Sequence, residues 1–174
     1  DELSKSRFDL TFKETAIKGA TGFDFNREYL MQMPLQTRLC DGAEETLGKL
    51  AGKYEMHIIT NGFSEVQVKK MENSGLNRFF KKVFVSEEIK SPKPSPGIFR
   101  FALKSCNARK KESLMIGDSW EVDVIGAMDV GIDQVHYAPF MESNLFTASE
   151  RERMESSGTN TFRINHLEEL CKII

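Results

Sequence analysis

The chain has 174 residues, of which 40% are hydrophobic and 29% are charged, and its formal net charge is -2 at pH 7. This composition is ordinary for a globular domain, and the near-neutral charge argues against a nucleic-acid-binding protein that depends on bulk positive charge. No stretch approaches the roughly 18 consecutive apolar residues of a membrane-spanning helix, so we expect no membrane partner. The three cysteines and three histidines are widely spaced, which predicts reduced thiols and a cytoplasmic protein rather than a disulfide framework or a zinc site.

Residues 1–39 are predicted to form a small helical unit. Their apolar residues recur at helical spacing, and no run among them resembles a strand. The last helix of this unit is expected from Asp24 to about Met33, with Asp24 as its N-cap and Pro34 as the residue that ends it.

Residues 40–174 show short apolar runs that alternate with helical patterns. The predicted strands are residues 55–60, 82–86, 113–117, 134–137 and 161–164. The predicted helices are residues 44–53, 64–74, 95–107, 121–130 and 166–174. This alternation is typical of right-handed β-α-β units, so we expect an α/β fold with a Rossmann-like parallel sheet and flanking helices. Residues 139–158 are predicted to be a surface excursion of unknown role.

Polar residues follow the first two predicted strands, at the end where parallel sheets bind their ligands. The turn Thr60-Asn61-Gly62 offers a hydroxyl and backbone N–H groups just before a helix begins, which is a favourable place for an anion. Lys93 lies between two prolines, which restrict the backbone and favour a fixed positive charge. A structural turn and a solvated lysine remain open as alternatives.

The third strand end carries two carboxylates. Asp118 comes directly after the predicted strand, and Asp123 lies in the first turn of the next helix. Carboxylates crowded at one place repel each other unless a cation neutralises them, and oxygen-only ligands suit Mg²⁺. The alternative is that both acids only stabilise the start of the helix.

In this order, the three segments resemble the motifs of the haloacid dehalogenase-like (HAD) hydrolase superfamily. Residues 58–63 are similar to its motif II, Lys93-Pro94 to motif III, and Gly117-Asp118 with Asp123 to motif IV. The resemblance covers about residues 40–140 and is greatest with the branch that has a small helical cap and includes pyrimidine 5'-nucleotidases. It implies that residues 1–39 are the later part of the cap and that residues 40–174 are the hydrolase core.

The resemblance implies a Mg²⁺-dependent phosphatase that acts on a small phosphorylated substrate such as a nucleotide. Its catalytic residues here would be Thr60, Lys93 and Asp118. The phosphate would be bound by the loop Thr60-Asn61-Gly62 and by Lys93. Asp118 would ligate Mg²⁺, and Asp123 would orient the metal-bound waters or Lys93 from the second shell of the metal.

The family attacks phosphorus with the first aspartate of a DxDxT/V motif on its first, central strand, and this sequence contains no such motif. The superficial match Phe23-Asp24-Phe25-Asn26 has no apolar strand before it and lacks the second acid. The resemblance therefore implies a fragment without the nucleophile, whose sheet is completed by a missing N-terminal segment or by another chain. The gap would lie between the strands that end at Thr60 and at Gly117, and direct pairing of these strands would contradict it.

Other functions remain open on the sequence alone. A non-catalytic module that binds phosphate, Mg²⁺ or a partner is favoured by the absent nucleophile. A haloacid dehalogenase is the alternative within the superfamily, although the acidic pair Asp118 and Asp123 favours phosphate chemistry. A dinucleotide-binding domain is disfavoured because no GxGxxG follows a strand.

Overall fold

A computed structural model of the protein describes residues 8–9, 11–14 and 21–174. It contains α-helices and parallel β-strands in alternation, which confirms the predicted α/β class. The chain divides into two compact units, one of residues 1–38 with 65–76 and one of residues 39–64 with 77–174. We call these the helical unit and the α/β unit. Among the described residues, no helix combines the length and the apolar character needed to cross a membrane.

The regular elements are numbered in chain order. The helices are α1 (Gly22–Gln32), α2 (Ala43–Leu50), α3 (Ser64–Asn73), α4 (Ser86–Ile89), α5 (Pro96–Cys106), α6 (Ile125–Met128), α7 (Ala148–Glu155) and α8 (Leu170–Ile173). The strands are β1 (His57–Thr60), β2 (Lys82–Val85), β3 (Leu114–Gly117), β4 (Asp133–Tyr137) and β5 (Thr161–Ile164). All five predicted strands are therefore confirmed, with small differences at their ends.

In the helical unit, α1 begins earlier than the sequence suggested. Thr21 is the N-cap, because its hydroxyl accepts a hydrogen bond from the Asp24 backbone N–H at 3.1 Å. The prediction that Asp24 caps this helix is therefore wrong; Asp24 lies in its first turn, where a carboxylate is favoured by the helix dipole. Since Asp24 lies within a helix, its position is not that of a nucleophile at the end of a strand.

The α/β unit contains two separate parallel sheets. β1 pairs with β2, and Ile58 lies opposite Val83. β4 pairs on both sides, with β3 and with β5, so that Val135 lies opposite Ile116 and Phe162. Within the described residues, β1 and β3 are not paired with each other, so the structure does not contradict the predicted gap between them.

The strands differ in how far their residues are buried, because they lie in two separate sheets. In β4 the three central residues, 134–136, are buried, as expected of a strand with a neighbour on each side. All residues of β1 and β3 are only partly buried or exposed, although both strands are strongly apolar, and Ile116 is 37% exposed. Strands of parallel sheets are normally covered on both faces. The exposure therefore marks an uncovered edge on each of these two strands.

The largest buried cluster lies between α5, α6 and the start of β4. Ile98 and Phe99 of α5 and Ala127 of α6 are completely buried. As predicted, α5 starts with Pro96 in its first turn and ends at Asn107, which adopts a left-handed conformation. This cluster places the loop before α5 next to the segment that precedes α6.

Two segments contain structure that the sequence did not predict. Residues 121–130 are predicted to be one helix, but residues 120–124 form a π-helical turn that precedes the short helix α6. Residues 139–158, predicted to be a surface excursion, contain α7, whose start is stabilised by a reciprocal capping box between Thr147 and Glu150. α7 has too few apolar residues to show helical periodicity, so only its capping pattern was available as a signal.

Gly126 allows α5 and α6 to approach closely. A Cβ atom at this position would lie 2.7 Å from Phe99 Cε2 and 3.0 Å from Pro94 Cα. Because Phe99 is completely buried and Pro94 Cα is backbone, neither can move away easily. We expect Gly126→Ala to lower the free energy of unfolding by about 1–3 kcal/mol, measured by urea denaturation.

Gly48→Ala is the matched control. Gly48 lies within α2, and no atom lies within 4 Å of the position its Cβ would take. Since alanine is the better helix former, this substitution should raise the free energy of unfolding by about 0.5–1 kcal/mol. Equal effects of the two substitutions would contradict the assigned packing of α5 against α6.

Candidate functional site

A buried ion pair lies at the centre of the predicted site. Lys93 Nζ donates to Asp123 Oδ1 at 2.6 Å, and the two side chains are 12% and 5% exposed. Lys93 is in the loop before α5, whereas Asp123 is in the π-helical turn after β3. The pair therefore joins two loops that leave different sheets.

The π-helical turn directs the Asp123 side chain toward Lys93. Its backbone bonds reach back to Ser119, whose carbonyl accepts from the N–H groups of both Asp123 and Val124. The Asp123 carboxylate also accepts from the Ser119 N–H at 3.2 Å through Oδ2. A Cβ on Gly117 would lie 2.4 Å from Asp123 Cβ, so only glycine at the end of β3 permits this packing. Widened turns of this kind are frequent at functional sites.

Asn61 holds Lys93 from the other sheet. Its side-chain Nδ2 donates to the Lys93 carbonyl at 2.9 Å, and its Oδ1 accepts from the Lys93 N–H at 2.8 Å. Since Asn61 follows β1 directly, this double hydrogen bond fixes the Lys93 backbone relative to the carboxyl end of β1. The predicted contact of Asn61 with phosphate stays a prediction, because here its amide positions the lysine.

Thr60 and Gly62 close the loop after β1. The Gly62 N–H donates to Thr60 Oγ1 at 3.1 Å. The Thr60 hydroxyl keeps its own proton for donation to an outside acceptor. Of the two residues, Thr60 therefore retains a free donor, while the Gly62 N–H is already used within the loop.

Asp118 is exposed at the end of β3, and its backbone carbonyl accepts a hydrogen bond from His136 at 3.2 Å. No donor among the described residues contacts its carboxylate. The carboxylate of Asp118 is thus uncommitted, whereas that of Asp123 is paired with Lys93. The structure brings all the residues predicted for the site to the carboxyl ends of β1 and β3.

A groove of about 930 Å³ runs between the uncovered edges of β1 and β3, and we call it the interstrand groove. Side chains of both strands line it with an apolar surface: Ile58, Ile59, Leu114, Met115 and Ile116. Lys93, Asp118 and Asp123 also line it. These polar residues follow the strands or contact their carboxyl ends. The groove is therefore apolar along the strands and charged at their carboxyl ends, and Glu55, Lys111 and Glu112 also line it near their amino ends.

The residues present fit a magnesium ion in their chemistry. No group of three or more His, Cys, Asp or Glu side chains suited to a metal occurs in the described part of the chain. Mg²⁺, however, is usually bound by only one or two carboxylates, together with waters and substrate phosphate oxygens. The uncommitted carboxylate of Asp118 and the carboxylate of Asp123, which line the same groove, supply such a donor set.

Sequence reasoning did not identify three linked residues, the first of which contacts the Asp118 loop. His136 on β4 holds the Asp118 carbonyl, Arg163 on β5 donates to His136, and Glu150 on α7 pairs with Arg163. Burial lowers the pKa of His136, so its neutral form is favoured. The available signal was an arginine inside an apolar strand, which requires a buried partner.

Comparisons with known proteins identify the family of the chain. The family model described as haloacid dehalogenase-like hydrolase matches residues 9–136. A protein named as a HAD-hydrolase, YfnB of Bacillus subtilis, is 31% identical over 175 residues, which covers 100% of this chain and 70% of YfnB. Pyrimidine 5'-nucleotidase PynA of Streptococcus pneumoniae is 30% identical over 140 residues, which covers 79% of this chain and 59% of PynA.

Solved structures give the same result. A crystal structure of YfnB, described as bound to magnesium, matches with a TM-score of 0.84 at 30% identity and covers 99% of this chain and 71% of that structure. L-2-haloacid dehalogenase from Xanthobacter autotrophicus shares the fold, with a TM-score of 0.74 at 16% identity over 94% of this chain and 71% of that structure. The family-model match over most of the chain, together with the likeness to YfnB, shows that the chain belongs to the haloacid dehalogenase-like hydrolase family.

Proposed function

We propose that this chain forms the phosphate- and metal-binding side of a Mg²⁺-dependent phosphatase that hydrolyses small phosphomonoesters. The observation that carries this proposal is the nearly buried Lys93, paired with Asp123, in the same groove as the uncommitted carboxylate of Asp118. Relatives named as phosphatases or nucleotidases, including PynA, support a phosphomonoester as the substrate class. A nucleotide is the substrate that the likeness to PynA favours.

Lys93 and Thr60 would bind the phosphate. An ammonium group has three N–H donors, and Lys93 uses one of them on Asp123. Two donors therefore remain for phosphate oxygens, and the Thr60 hydroxyl provides a third. Because the double hydrogen bond from Asn61 fixes the Lys93 backbone, the positive charge is held in place before the substrate arrives.

Asp118 would ligate the Mg²⁺ ion, and Asp123 would orient either its waters or Lys93. The bound ion would neutralise negative charge on the phosphate. The carboxylate of Asp123 accepts hydrogen bonds from Lys93 and Ser119 at once, so it is already oriented by the protein. This arrangement fits a supporting role for Asp123 and a direct role for Asp118.

We further propose that a β-strand from outside residues 1–174, of the same polypeptide or of another chain, fills the interstrand groove in the active enzyme. The open backbone edges of β1 and β3 can both hydrogen-bond such a strand, and the apolar walls can bury its side chains. Unpaired buried backbone groups cost about 1–3 kcal/mol each. A strand in this position therefore satisfies both edges and covers both half-exposed strands.

In this proposal the added strand carries the aspartate nucleophile at its carboxyl end. A carboxylate oxygen attacks phosphorus, the bond between phosphorus and the ester oxygen breaks, and the alcohol leaves with a proton from a second acid on the same strand. Water, which gives a proton back to the second acid, then attacks phosphorus; the bond between phosphorus and the aspartate oxygen breaks, and inorganic phosphate and the free carboxylate are released. Lys93 lies at the same end of the groove and balances the charge of nucleophile and phosphate.

A cytoplasmic location completes the proposal. Cys40, Cys106 and Cys171 are free thiols in the structure, which fits a reducing compartment. Haloacid dehalogenation is the weaker alternative, because the dehalogenase likeness at 16% identity concerns the fold alone.

The nucleophile proposal predicts that the 174-residue chain does not hydrolyse p-nitrophenyl phosphate in the presence of Mg²⁺. A chimera that adds the YfnB residues not matched by this chain should release phosphate, since the added segment closes the groove. Asp118→Asn should abolish that release in the chimera. Asp129→Asn is the matched control, because Asp129 pairs with Arg153 outside the site, and it should leave the rate unchanged.

Phosphate release by the 174-residue chain that disappears with Asp118→Asn would show that the nucleophile lies within the chain, against the proposal. A chimera that unfolds cooperatively but releases no phosphate would instead favour a non-catalytic binding module.

The Lys93–Asp123 pair can be tested for structure and for function separately. Lys93→Met leaves the Asp123 carboxylate buried without its cation, so the free energy of unfolding in urea should fall by about 3–5 kcal/mol. The double variant Lys93→Met with Asp123→Asn removes both charges and should recover most of that loss. Binding of inorganic phosphate, measured by calorimetry, should be lost in both variants because the free cation is absent.

Lys49→Met is the control, since Lys49 forms an exposed pair with Glu45, and exposed pairs contribute little. Phosphate binding that survives in the double variant would exclude Lys93 as a phosphate ligand.

A further inference from the structure

A second buried polar cluster contacts the Asp118 loop from β4 and β5. His136 and Arg163 lie opposite each other in the register of these strands, and both are buried. Arg163 pairs with Glu150 of α7 at 2.6 Å, and their side chains are only 1% and 14% exposed. We call these residues, with Trp120, the His136 cluster.

The guanidinium group of Arg163 donates hydrogen bonds to three different residues. Its Nε donates to His136 Nδ1 at 3.0 Å, one terminal nitrogen donates to the Leu145 carbonyl at 2.8 Å, and the other donates to Glu150. A planar guanidinium has a rigid pattern of donors. The orientation of Arg163 therefore dictates where the His136 ring can lie.

These contacts also decide which nitrogen of His136 carries the proton. Arginine can only donate, so Nδ1 must accept. The proton of the neutral ring is then on Nε2, which donates to the Asp118 carbonyl at 3.2 Å. Arg163 thus donates to His136, and His136 donates to the backbone carbonyl of Asp118, the predicted metal ligand.

Trp120 fixes the same loop on its other side. Its ring centroid lies 5.7 Å from that of His136 and 5.8 Å from that of Phe146. The Arg163 guanidinium carbon lies 5.6 Å from the centre of the Trp120 ring and 4.3 Å from that of Phe146, within the range of cation–π attraction. Residues 118–120 are therefore held both by a backbone hydrogen bond and by an aromatic side chain.

We propose that Arg163 and His136 are positioning residues that hold the Asp118 loop in the geometry that binds Mg²⁺. This inference rests on the proposed function, since it assigns a purpose to contacts around a proposed metal ligand. The Asp118 carboxylate has no donor of its own among the described residues, so its position depends on its backbone. A buried ion pair adds little net stability compared with apolar residues of similar volume, but its fixed donors orient the histidine as an apolar core could not.

The test compares two substitutions of His136. Glutamine can accept from Arg163 through its carbonyl and donate to the Asp118 carbonyl through its amide, so His136→Gln should keep the Mg²⁺ affinity within about threefold of the original. Leucine can do neither, so His136→Leu should weaken Mg²⁺ binding by about 10–100-fold, the usual cost of losing an outer-shell partner. Calorimetry with MgCl₂ measures the affinity.

Hydrogen exchange of the backbone amides of residues 119–124, in the absence of metal, gives a second measurement. Exchange should accelerate at least tenfold in His136→Leu and stay near the original rate in His136→Gln. The control variant Arg153→Met with Asp129→Asn removes an exposed ion pair that also includes a residue of α7, and it should alter neither measurement.

Unchanged exchange and unchanged Mg²⁺ affinity in His136→Leu would overturn the inference. Equal losses in the glutamine and leucine variants would also overturn it, because they would show a requirement for the ring as packing alone. If the unaltered chain binds no Mg²⁺, the proposed metal site fails, while the exchange measurement still decides whether the His136 cluster holds the loop.

Discussion

The ion pair between Lys93 and Asp123 is the interaction on which the candidate site depends, because it connects the carboxyl ends of two strands that share no backbone hydrogen bond. Two hydrogen bonds from Asn61 hold Lys93 at the end of β1. At the end of β3, Gly117 packs against Asp123, and the Ser119 N–H donates to its carboxylate. Both charged side chains are nearly buried. Removing either one would leave an uncompensated buried charge, so the two loops depend on each other.

The interstrand groove follows from the same arrangement. β1 and β3 are joined at their carboxyl ends by side chains, while their facing edges stay unpaired along their length. The charged residues thus lie where a strand in the groove would end. The proposed phosphoryl transfer would depend mainly on positioning and on neutralising charge around the phosphate, and a lysine fixed by Asp123 is suited to both.

Two separate hydrogen-bond networks hold the residues of the candidate site. The Asn61–Lys93–Asp123 network faces the groove and supplies the positive charge. The His136 cluster contacts the backbone of Asp118 and leaves its carboxylate free. In this way one network holds the proposed phosphate ligand, and the other holds the proposed metal ligand.

The sequence alone was enough to place the strands, since each is a short apolar run bounded by turn residues or by charged and polar residues. It also predicted that Thr60, Lys93, Asp118 and Asp123 lie near the carboxyl ends of the strands, because polar groups after parallel strands gather at one edge of a sheet. The limits of α1 and the π-helical turn were predicted less well, since capping and backbone bonding there depend on single hydrogen bonds.

What local sequence could not determine are the contacts between distant residues. Lys93 and Asp123 are 30 positions apart, and His136 and Arg163 are 27 apart. Contact within each pair depends on the register of the strands and on the packing of the loops. No local sequence pattern specifies either of these. The sequence thus determined which residues carry charge near the strand ends, whereas the tertiary structure decided which of them are paired and which carboxylate stays free, because only packing places donors within hydrogen-bonding distance.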